Sequence, residues 1–499
     1  MKYLVFLDFM DRLTLDVAKD KAEEGNDIYL IKCDKSFGIC RANYQGNSSI
    51  CNLCSKCMRS LVKKTIIGEN VHYVSLTELY SKYNILPKTH SFSYNNVKEL
   101  KGIKYRGIDI GYAAFSTFAS VTRNIMPSFN DYFKKYINTL FDSQIQMIDA
   151  LNLYVDEIVP DWIIFHNGRH VTNKCFYQLA KNRNIPFVAT ERMWDSDHVT
   201  LSNNFVNDIP HSSAAIVNKI EEMWNSGDAN KNIEIAHEFF YNRRYGKYAG
   251  DVVYTSHQKQ GLLPDNYNTD KKNIVIFNSS EDEYYSLSEE YDNSGLFDNQ
   301  YEALKTIFDH YSGSKEYAFY LRIHPNLSNV PWKSHRLLYT LKYSNVTIIP
   351  PESQISSYSL MDIADKIIVF NSTMGIEGTY WGKVVMALSY SYYNNLNAVY
   401  TPKTVRDLYD FIENDELKPK TKDGCLKSAV YLMGCKLKPL KYYYQKEDIY
   451  KLFGKEIWVG NDFTFLRSHL LFSLLILFYR VLSEFGIQGT FRKIGENTK

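Results

Sequence analysis

The chain has 499 residues, a length that suits two large domains better than one small module. Its composition, 45% hydrophobic and 23% charged residues, lies near the average of globular proteins and excludes a wholly disordered chain. Lys and Arg total 58 against 56 for Asp and Glu, and a formal charge of +2 gives no broad positive field for non-specific nucleic-acid binding. We therefore expect a folded two-domain protein with no nucleic-acid partner.

The amino-terminal residues, MKYLVFLDFMDR, carry a short apolar run that Asp8 interrupts. They lack the apolar region and the cleavage site of a secretory signal. No uninterrupted apolar run approaches the ~20 residues that a membrane-spanning helix requires. We expect a cytoplasmic protein that does not span a bilayer.

Strand and helix patterns alternate through the first half of the chain, which predicts a Rossmann-like domain over residues 1–260. Its predicted elements are strand 3–9, a helix to about Ala22, strand 27–32, strand 162–165, a helix near 171–182 and a strand in NIPFVATE. A weakly patterned stretch at 261–272, rich in Asn and Asp, is the predicted linker.

The same alternation returns over 273–455, which we predict to be a second Rossmann-like domain. Its predicted elements are strands 273–278, 317–323, 346–349, 366–370 and 384–388, a helix or turn before Asp365 and a helix from Gly375. Alternating strands and helices specify a parallel sheet with helices on both faces, and ligands bind outside the carboxyl ends of its strands. The fold class is therefore α/β, and the functional motifs should lie at those strand ends.

Five of the eight cysteines fall within residues 33–57, and the last three are spaced C-x2-C-x2-C. In a reducing compartment this spacing favours metal ligation over disulfides, because nearby thiolates converge on one tetrahedral Zn²⁺. An iron–sulfur cluster and free thiols in a loop-rich insertion are the alternatives. The predicted ligands of a structural zinc are Cys33, Cys40, Cys51, Cys54 and Cys57.

Two motifs directly follow apolar strands of the second domain: RIHPN at 322–326 and VFNSTMGIEGTYWGK at 369–383. An Arg and a His at a strand end bind phosphate by charge or hydrogen bonds, and a helix amino terminus binds anions through its unpaired N–H groups. A carboxylate in the first turns of that helix accepts hydrogen bonds from ribose. The predicted nucleotide-binding residues are Arg322, His324, Asn371, Ser372, Thr373, Gly375 and Glu377. Ordinary helix capping by the serine and threonine is the alternative.

These two motifs together resemble the carboxy-terminal domain of GT-B-fold glycosyltransferases, and more narrowly bacterial capsule and O-antigen biosynthesis proteins. The order of His166-Asn167-Gly168-Arg169 before Glu191-Arg192 is similar to that group, as is FNSSEDEYY at 277–285. Met193-Trp194 departs from the resemblance, because a Gly often follows the Glu-Arg pair there. The resemblance implies two Rossmann-like domains facing across a cleft.

The resemblance also implies an activity: transfer of a sugar from a nucleotide-activated donor to a lipid-linked surface polysaccharide intermediate. No Asp-any-Asp motif of the metal-dependent kind stands out, so we expect no catalytic metal. A base must take the proton of the acceptor hydroxyl. We predict Glu191 in that role, and Asp109 and His166 are the next candidates. CMP-activated acidic sugars and UDP-sugars both stay open as donors.

Two other functions stay open at this point. A nucleotide-sugar 2-epimerase-like isomerase shares the two-domain architecture and a similar phosphate turn, and fold alone does not separate it from a transferase. A non-catalytic assembly protein of the polysaccharide machinery would use the cysteine segment for docking.

The carboxy-terminal segment 456–499 is predicted to contain an apolar helix. Leu470–Tyr479 is apolar at nine of ten positions, and Arg467 and Arg480 flank it. Burial in a core is one reading. Basic residues beside an apolar helix are also typical of helices that lie in a membrane interface, and a lipid-linked acceptor would be found there. We therefore expect a peripheral protein on the inner face of the cytoplasmic membrane.

Truncation after about Gly460 tests that expectation. The shortened chain should stay soluble and bind nucleotide, and it should no longer sediment with anionic liposomes as the full chain does. Aggregation of the truncated chain, or loss of its nucleotide site, would instead assign the segment to a core.

Overall fold

The computed structural model describes residues 1–8, 12–44, 46, 48–190, 192–194, 199–201, 213–247, 257–293, 295–328, 336–434, 449–452 and 455–458. The predicted apolar helix lies outside these residues. The described residues divide into two compact units. The first comprises those within 1–193, 199–201, 449–452 and 455–458, and the second comprises Trp194 and those within 213–434.

The first unit is a parallel α/β sheet with helices. Its elements are β1 (Lys2–Leu7), α1 (Arg12–Glu23), β2 (Asp27–Lys32), α2 (Ser48–Thr65), β3 (Val71–Ser75), α3 (Leu76–Lys82), α4 (Val97–Lys101), α5 (Ile110–Thr122), α6 (Asp131–Ile158), β4 (Trp162–His166), α7 (Lys174–Asn182) and β5 (Phe187–Thr190). The strand order is β3-β2-β1-β4-β5, and every pair is parallel. The predicted parallel sheet is confirmed for this unit. Short strands β6 (Arg192–Trp194) and β7 (Val199–Leu201) pair with each other.

Strand β1 is apolar from Tyr3 to Leu7 because helices cover both faces of its sheet. Tyr3 and Val5 point to one face, where they join a buried cluster with residues of α1 and α2. Phe6 points to the other face and stacks on Phe176 of α7, with ring centroids 4.5 Å apart. The apolar run that predicted this strand is continuous because alternate residues pack against helices on opposite faces of the sheet.

The second unit repeats this plan. Its elements are α8 (Ser213–Ser226), α9 (Ala229–Arg244), β8 (Lys272–Phe277), α10 (Glu289–Asn293), α11 (Gln300–His310), β9 (Tyr317–Arg322), β10 (Val346–Ile349), α12 (Ser357–Ile363), β11 (Lys366–Val369), α13 (Met374–Tyr380), β12 (Val384–Ala387), α14 (Val405–Glu413) and α15 (Asp423–Gly434). The strand order is β10-β9-β8-β11-β12, again with every pair parallel. Strands β13 (Ile449–Leu452) and β14 (Lys455–Trp458) form a separate antiparallel pair.

Helices α8 and α9 belong to the second unit, although the sequence pattern put residues up to 260 in the first domain. Phe239 and Phe240 of α9 are fully buried in the second unit's core, and Phe240 stacks on Tyr380 of α13 at 3.9 Å. The predicted linker also packs on this unit, since the Gly261 amide donates to the Ser359 hydroxyl at 2.7 Å. Amphipathic periodicity shows that a helix has a buried face, and it does not show which core covers that face.

Within the described part of the chain, no helix combines the length and the apolar character that crossing a membrane requires.

Gly111 in the first turn of α5 gives a test of the first unit's packing. A Cβ built at Gly111 would lie 2.0 Å from the carbonyl oxygen of Leu100, so α4 and α5 approach each other too closely for any side chain. Gly111→Ala should therefore destabilise this unit by roughly 1–3 kcal/mol, the usual cost of overpacking. Urea unfolding measures the loss.

Gly38→Ala is the matched control, because a Cβ at Gly38 would have no neighbour within 4 Å. Equal stability of the two variants would contradict the close packing of α4 against α5.

Candidate functional site

A cavity of about 60 Å³ lies at the carboxyl edge of the second sheet. It forms where β8, β9 and β11 end. In the observed strand order the chain winds outward from β8 in both directions, so the crevice between β8 and β11 is the point where ligands bind in such sheets. The side chains and backbone that line it come from Arg243, Gln258, Phe277, Asn278, Arg322, His324, Pro325, Ser357, Tyr358, Ser372, Thr373, Met374 and Glu377.

Arg322, the last residue of β9, is 1% exposed. Its guanidinium donates hydrogen bonds to the carbonyl oxygens of Pro350, Pro351 and Ser353 in the loop after β10. Burial lowers the pKa of Arg322 to about 10, which still leaves the group positively charged at neutral pH. Among the described residues, its Nε atom has no hydrogen-bond partner. Arg322 therefore holds the β10 loop and adds a positive charge to the cavity wall.

His324 follows two residues later and is fixed by its neighbours. Its backbone amide donates to Oδ1 of Asn278, which follows β8, at 2.7 Å. Its ring Nδ1 lies 2.7 Å from Oδ1 of Asn326, and that oxygen accepts a hydrogen bond from Ser280. These contacts set the direction of the imidazole ring that lines the cavity.

The turn between β11 and α13 supplies Ser372 and Thr373. Asn371 starts it with a φ of 44°, and its side-chain oxygen accepts a hydrogen bond from Ser391 at 2.8 Å. A Cβ at Gly375 would lie 2.8 Å from the Tyr393 hydroxyl, which itself donates to the Ser372 carbonyl. Asn371 and Gly375 thus shape the turn, and Ser372 and Thr373 reach the cavity.

A buried ion pair forms the remaining wall. Glu377 of α13 is fully buried, and its Oε1 accepts a hydrogen bond from Nε of Arg243 at 3.0 Å. Its Oε2 accepts one from the Tyr358 phenol. Burial first, and then the Glu377 charge, raises the pKa of Tyr358 well above its ordinary value, so the phenol stays a donor. Arg243 also donates to the Thr373 hydroxyl at 2.9 Å.

The charges at this cavity favour an anionic ligand. Among the described residues that line it, Arg243 and Arg322 are cationic, and Glu377 is the one carboxylate. Both oxygens of Glu377 are already engaged by Arg243 and Tyr358, so its charge is largely compensated within the protein. Two guanidinium groups against one carboxylate leave the cavity lining with a net charge of +1. With the imidazole of His324 as a further hydrogen-bonding group, this lining suits a phosphate-bearing molecule.

The structure brings five of the seven predicted nucleotide-binding residues together at the cavity: Arg322, His324, Ser372, Thr373 and Glu377. Glu377 was predicted to meet ribose, and it instead pairs with Arg243 and Tyr358. The sequence analysis did not identify Arg243, Tyr358 or Asn278. The signal for Asn278 was available, since it directly follows a predicted strand.

The first unit has its own crevice between β1 and β4, again at the point where strand order reverses. Asp8 follows β1, and its Oδ2 accepts hydrogen bonds from Thr172 and Asn173 at 2.8 Å each. His166 ends β4, with its Nδ1 3.5 Å from the Thr190 hydroxyl. Asp8 was not predicted as a site residue, although it interrupts the first apolar run.

The two carboxylates predicted as bases have different outcomes. Asp109 precedes α5, and its carboxylate accepts a hydrogen bond from the Gln178 amide of α7 and lies 3.1 Å from Nζ of Lys104. These are the contacts of a group that links two helices. Glu191 lies outside the described residues, so its role stays a prediction.

Four of the five cysteines predicted as zinc ligands line one small cavity at the carboxyl edge of the first sheet: Cys33, Cys40, Cys51 and Cys54. The side chain of Cys57 lies outside the described residues. Burial raises the pKa of Cys33 to about 11, and backbone N–H groups of Phe37 and Ser36 act against this rise. In the part of the chain that the structure describes, no three His, Cys, Asp or Glu side chains surround a single point as they would a bound ion.

No protein-family model matches the sequence, and no curated protein matches it. Solved structures are similar to the chain at low identity, among them the following three. The KpsC beta Kdo 2,7 transferase of Thermosulfurimonas dismutans is 15% identical with a TM-score of 0.31, over 57% of this chain and 80% of that chain. The UDP-GlcNAc 2-epimerase of Neisseria meningitidis is 12% identical with a TM-score of 0.22, over 87% and 99%. The calicheamicin glycosyltransferase CalG4 is 9% identical with a TM-score of 0.23, over 87% and 95%. Likeness at this level carries no argument about activity.

The buried ion pair makes a prediction about stability. Glu377→Ala leaves the Arg243 guanidinium, which is 16% exposed, without its carboxylate. Removing one partner of a buried pair costs roughly 3–5 kcal/mol, so thermal unfolding of the second unit should shift clearly downward. A Glu377 that only contacted a ligand could be replaced without loss of stability, whereas its burial against Arg243 predicts a loss.

Asp410→Ala is the control, because it removes the carboxylate of an exposed pair with Arg406 in the same unit. That loss should stay within about 1 kcal/mol. A Glu377→Ala variant as stable as Asp410→Ala would show that the buried pair contributes nothing to the fold.

Proposed function

We propose that the protein is a glycosyltransferase whose nucleotide-activated donor binds the second unit. The observation that carries the proposal is the cationic cavity between β8 and β11, lined by Arg243, Arg322 and His324. A ligand held there meets preorganised donors on several sides, which is the arrangement that a leaving phosphate requires.

The way in which phosphate would be bound separates this proposal from dinucleotide oxidoreductases. Those enzymes wrap the pyrophosphate in a glycine-rich turn after the first strand. Here the residues after β8 are Asn278, Ser279, Ser280 and Glu281, with no glycine. Arg243 of α9 and Arg322 at the end of β9, instead of a glycine-rich backbone turn, supply the positive charge.

In the proposed reaction the bond between the donor sugar and the nucleotide phosphate breaks, and negative charge develops on the leaving phosphate. Arg243 and His324 would stabilise that charge by hydrogen bonds, while Arg322 adds its field from the buried wall. Glu377 would act as a positioning residue, because it fixes the guanidinium of Arg243. The sugar is transferred to an acceptor hydroxyl, whose proton passes to a base.

We propose that the first unit supplies that base, with Glu191 as the first candidate. His166, at the carboxyl end of β4, is the second. The contacts of Asp109 with Gln178 and Lys104 make it the weakest of the three. A lipid-linked capsule or O-antigen intermediate at the membrane surface, implied by the motif resemblance, is the proposed acceptor.

Nucleotide binding tests the donor site directly. Isothermal titration with CMP, UDP and their sugar conjugates should show one saturable site on the full chain. His324→Ala and Arg243→Lys should each weaken that binding roughly tenfold to hundredfold, the worth of one charge-assisted hydrogen bond. Lysine keeps the charge that Glu377 needs and loses the guanidinium fork.

Arg406→Lys is the control for the arginine substitution, since Arg406 is 68% exposed and does not line the cavity. The Arg406→Lys variant should bind nucleotide with the same affinity as the unchanged protein. Full affinity in both cavity variants would contradict the donor-site assignment.

The reaction itself is tested by incubation with a panel of nucleotide sugars and lipid-linked acceptors. Acceptor-dependent release of free nucleotide is the expected result. Formation of an epimeric nucleotide sugar, with no sugar transferred to the acceptor, would replace the transferase with an isomerase. Binding without any turnover across the panel would favour a non-catalytic assembly role.

A further inference from the structure

The cysteine cavity, lined by Cys33, Cys40, Cys51 and Cys54, lies in the first unit and has a volume of about 40 Å³. Three separate pieces of chain bring these thiols together. Cys33 follows β2 at the carboxyl edge of the sheet, Cys40 lies in the loop beyond it, and Cys51 and Cys54 stand one turn apart on α2. Sequence spacing made this convergence plausible, and the fold produces it.

The loop between β2 and α2 is shaped around these sulfur atoms. Asp34 and Lys35, directly after Cys33, both have positive φ, at 45° and 74°. Two consecutive non-glycine residues in this conformation are costly, and such backbone strain concentrates at functional sites. The Ser36 amide closes this turn by donating to the carbonyl oxygen of Cys33 at 3.1 Å, and the turn carries the Cys33 side chain to the cavity wall.

One amide donor reaches a sulfur atom of this cavity. The side-chain amide of Asn43, a residue that is 2% exposed, donates to the sulfur of Cys51 at 3.1 Å. The backbone amide of Asn43 donates to the carbonyl oxygen of Cys40 at 3.1 Å, and the Cys40 amide donates to the carbonyl oxygen of Asn43 at 3.2 Å. Asn43 thus connects the loop that carries Cys40 to the helix that carries Cys51.

We propose that Cys33, Cys40, Cys51 and Cys54 ligate a metal centre in this cavity. Thiolates buried together repel one another, and a bound cation supplies the charge that makes such a group stable. Soft sulfur ligands select zinc or iron–sulfur chemistry over magnesium and calcium. The centre would be structural, because four protein ligands leave no open position for a substrate.

Metal binding would require the cavity cysteines to rearrange, because no three of the described ligand-type side chains surround a single point. Metal-free thiols are neutral, so nothing draws them to the mutual distances of a tetrahedral site, which follow from a Zn–S bond of about 2.3 Å. Each cysteine has a single side-chain torsion with three staggered positions, and a change of position swings the sulfur across the cavity. An iron–sulfur cluster needs less movement, since it accommodates thiolates that are further apart.

The test uses the full chain, purified without chelators and without oxygen. Elemental analysis should find about one zinc per chain, or iron with an equal amount of acid-labile sulfide and visible absorbance. Either result supports a thiolate metal centre, and the two are distinguished by the metal found. The Cys33→Ser/Cys51→Ser double variant should lose at least about nine-tenths of the metal.

Cys175→Ser is the matched control, because Cys175 is a buried cysteine of the same unit that contacts Met147 and does not line the cavity. It should keep the full metal content. Unchanged metal in the double variant would overturn the proposal. So would an unchanged protein that stays free of metal after anaerobic incubation with zinc, or with iron and sulfide, or one whose four thiols are found as disulfides.

Alkylation of the unchanged protein answers the question even if the double variant does not fold. The four cavity cysteines should resist a thiol reagent until a strong chelator removes the metal, whereas Cys175 and Cys425 should stay buried and unlabelled in both states. Labelling of the four cysteines that is the same before and after chelation would contradict the proposal.

Discussion

Parallel strands end together at one edge of a sheet, and this constraint determines where both units of the protein place their polar residues. Each sheet has its first strand at the centre, with the chain winding outward in one direction and then in the other. At the strand ends beside that central strand, the connecting loops diverge and leave a crevice. His324 and Ser372 reach the crevice of the second unit, and Asp8 and His166 stand at the ends of the corresponding strands in the first.

The charge arrangement in the second unit follows from burial. A carboxylate at Glu377, fully removed from water, is tolerated only with a close partner of opposite charge. Arg243 supplies that charge, and Tyr358 adds a hydrogen bond. Because the pair is locked in place, Arg243 meets a ligand without first being ordered, which lowers the entropic cost of binding. The Glu377 carboxylate thus contributes both to the stability of the cavity wall and to the affinity of the cavity for an anion.

Features that depend on neighbouring residues could be predicted from the sequence, whereas contacts between residues far apart in the chain could not. Continuous apolar runs located the strands, and two residues at the end of one of them, Arg322 and His324, do line the cavity. Arg243 pairs with a residue 134 positions away, and that contact depends on how α9 packs, which no local pattern encodes. The same limit explains Asp109, whose partner Gln178 lies on a helix 69 positions away. Local chemistry is therefore readable from spacing, whereas the identity of a buried partner is not.

The first unit shows how two sites come to share one edge. Asp8 lines the cysteine cavity on one side, and its carboxylate oxygen accepts hydrogen bonds from Thr172 and Asn173 on the other. Those two residues immediately precede α7, so they hold the loop that begins at His166. A metal held by four thiolates carries a net negative charge, so an occupied cavity would repel the Asp8 carboxylate, while the hydrogen bonds from Thr172 and Asn173 would oppose that repulsion. Occupancy of the cavity and the position of the loop after β4 would then be coupled through one side chain, and this coupling would link the proposed metal centre to the proposed acceptor side of the reaction.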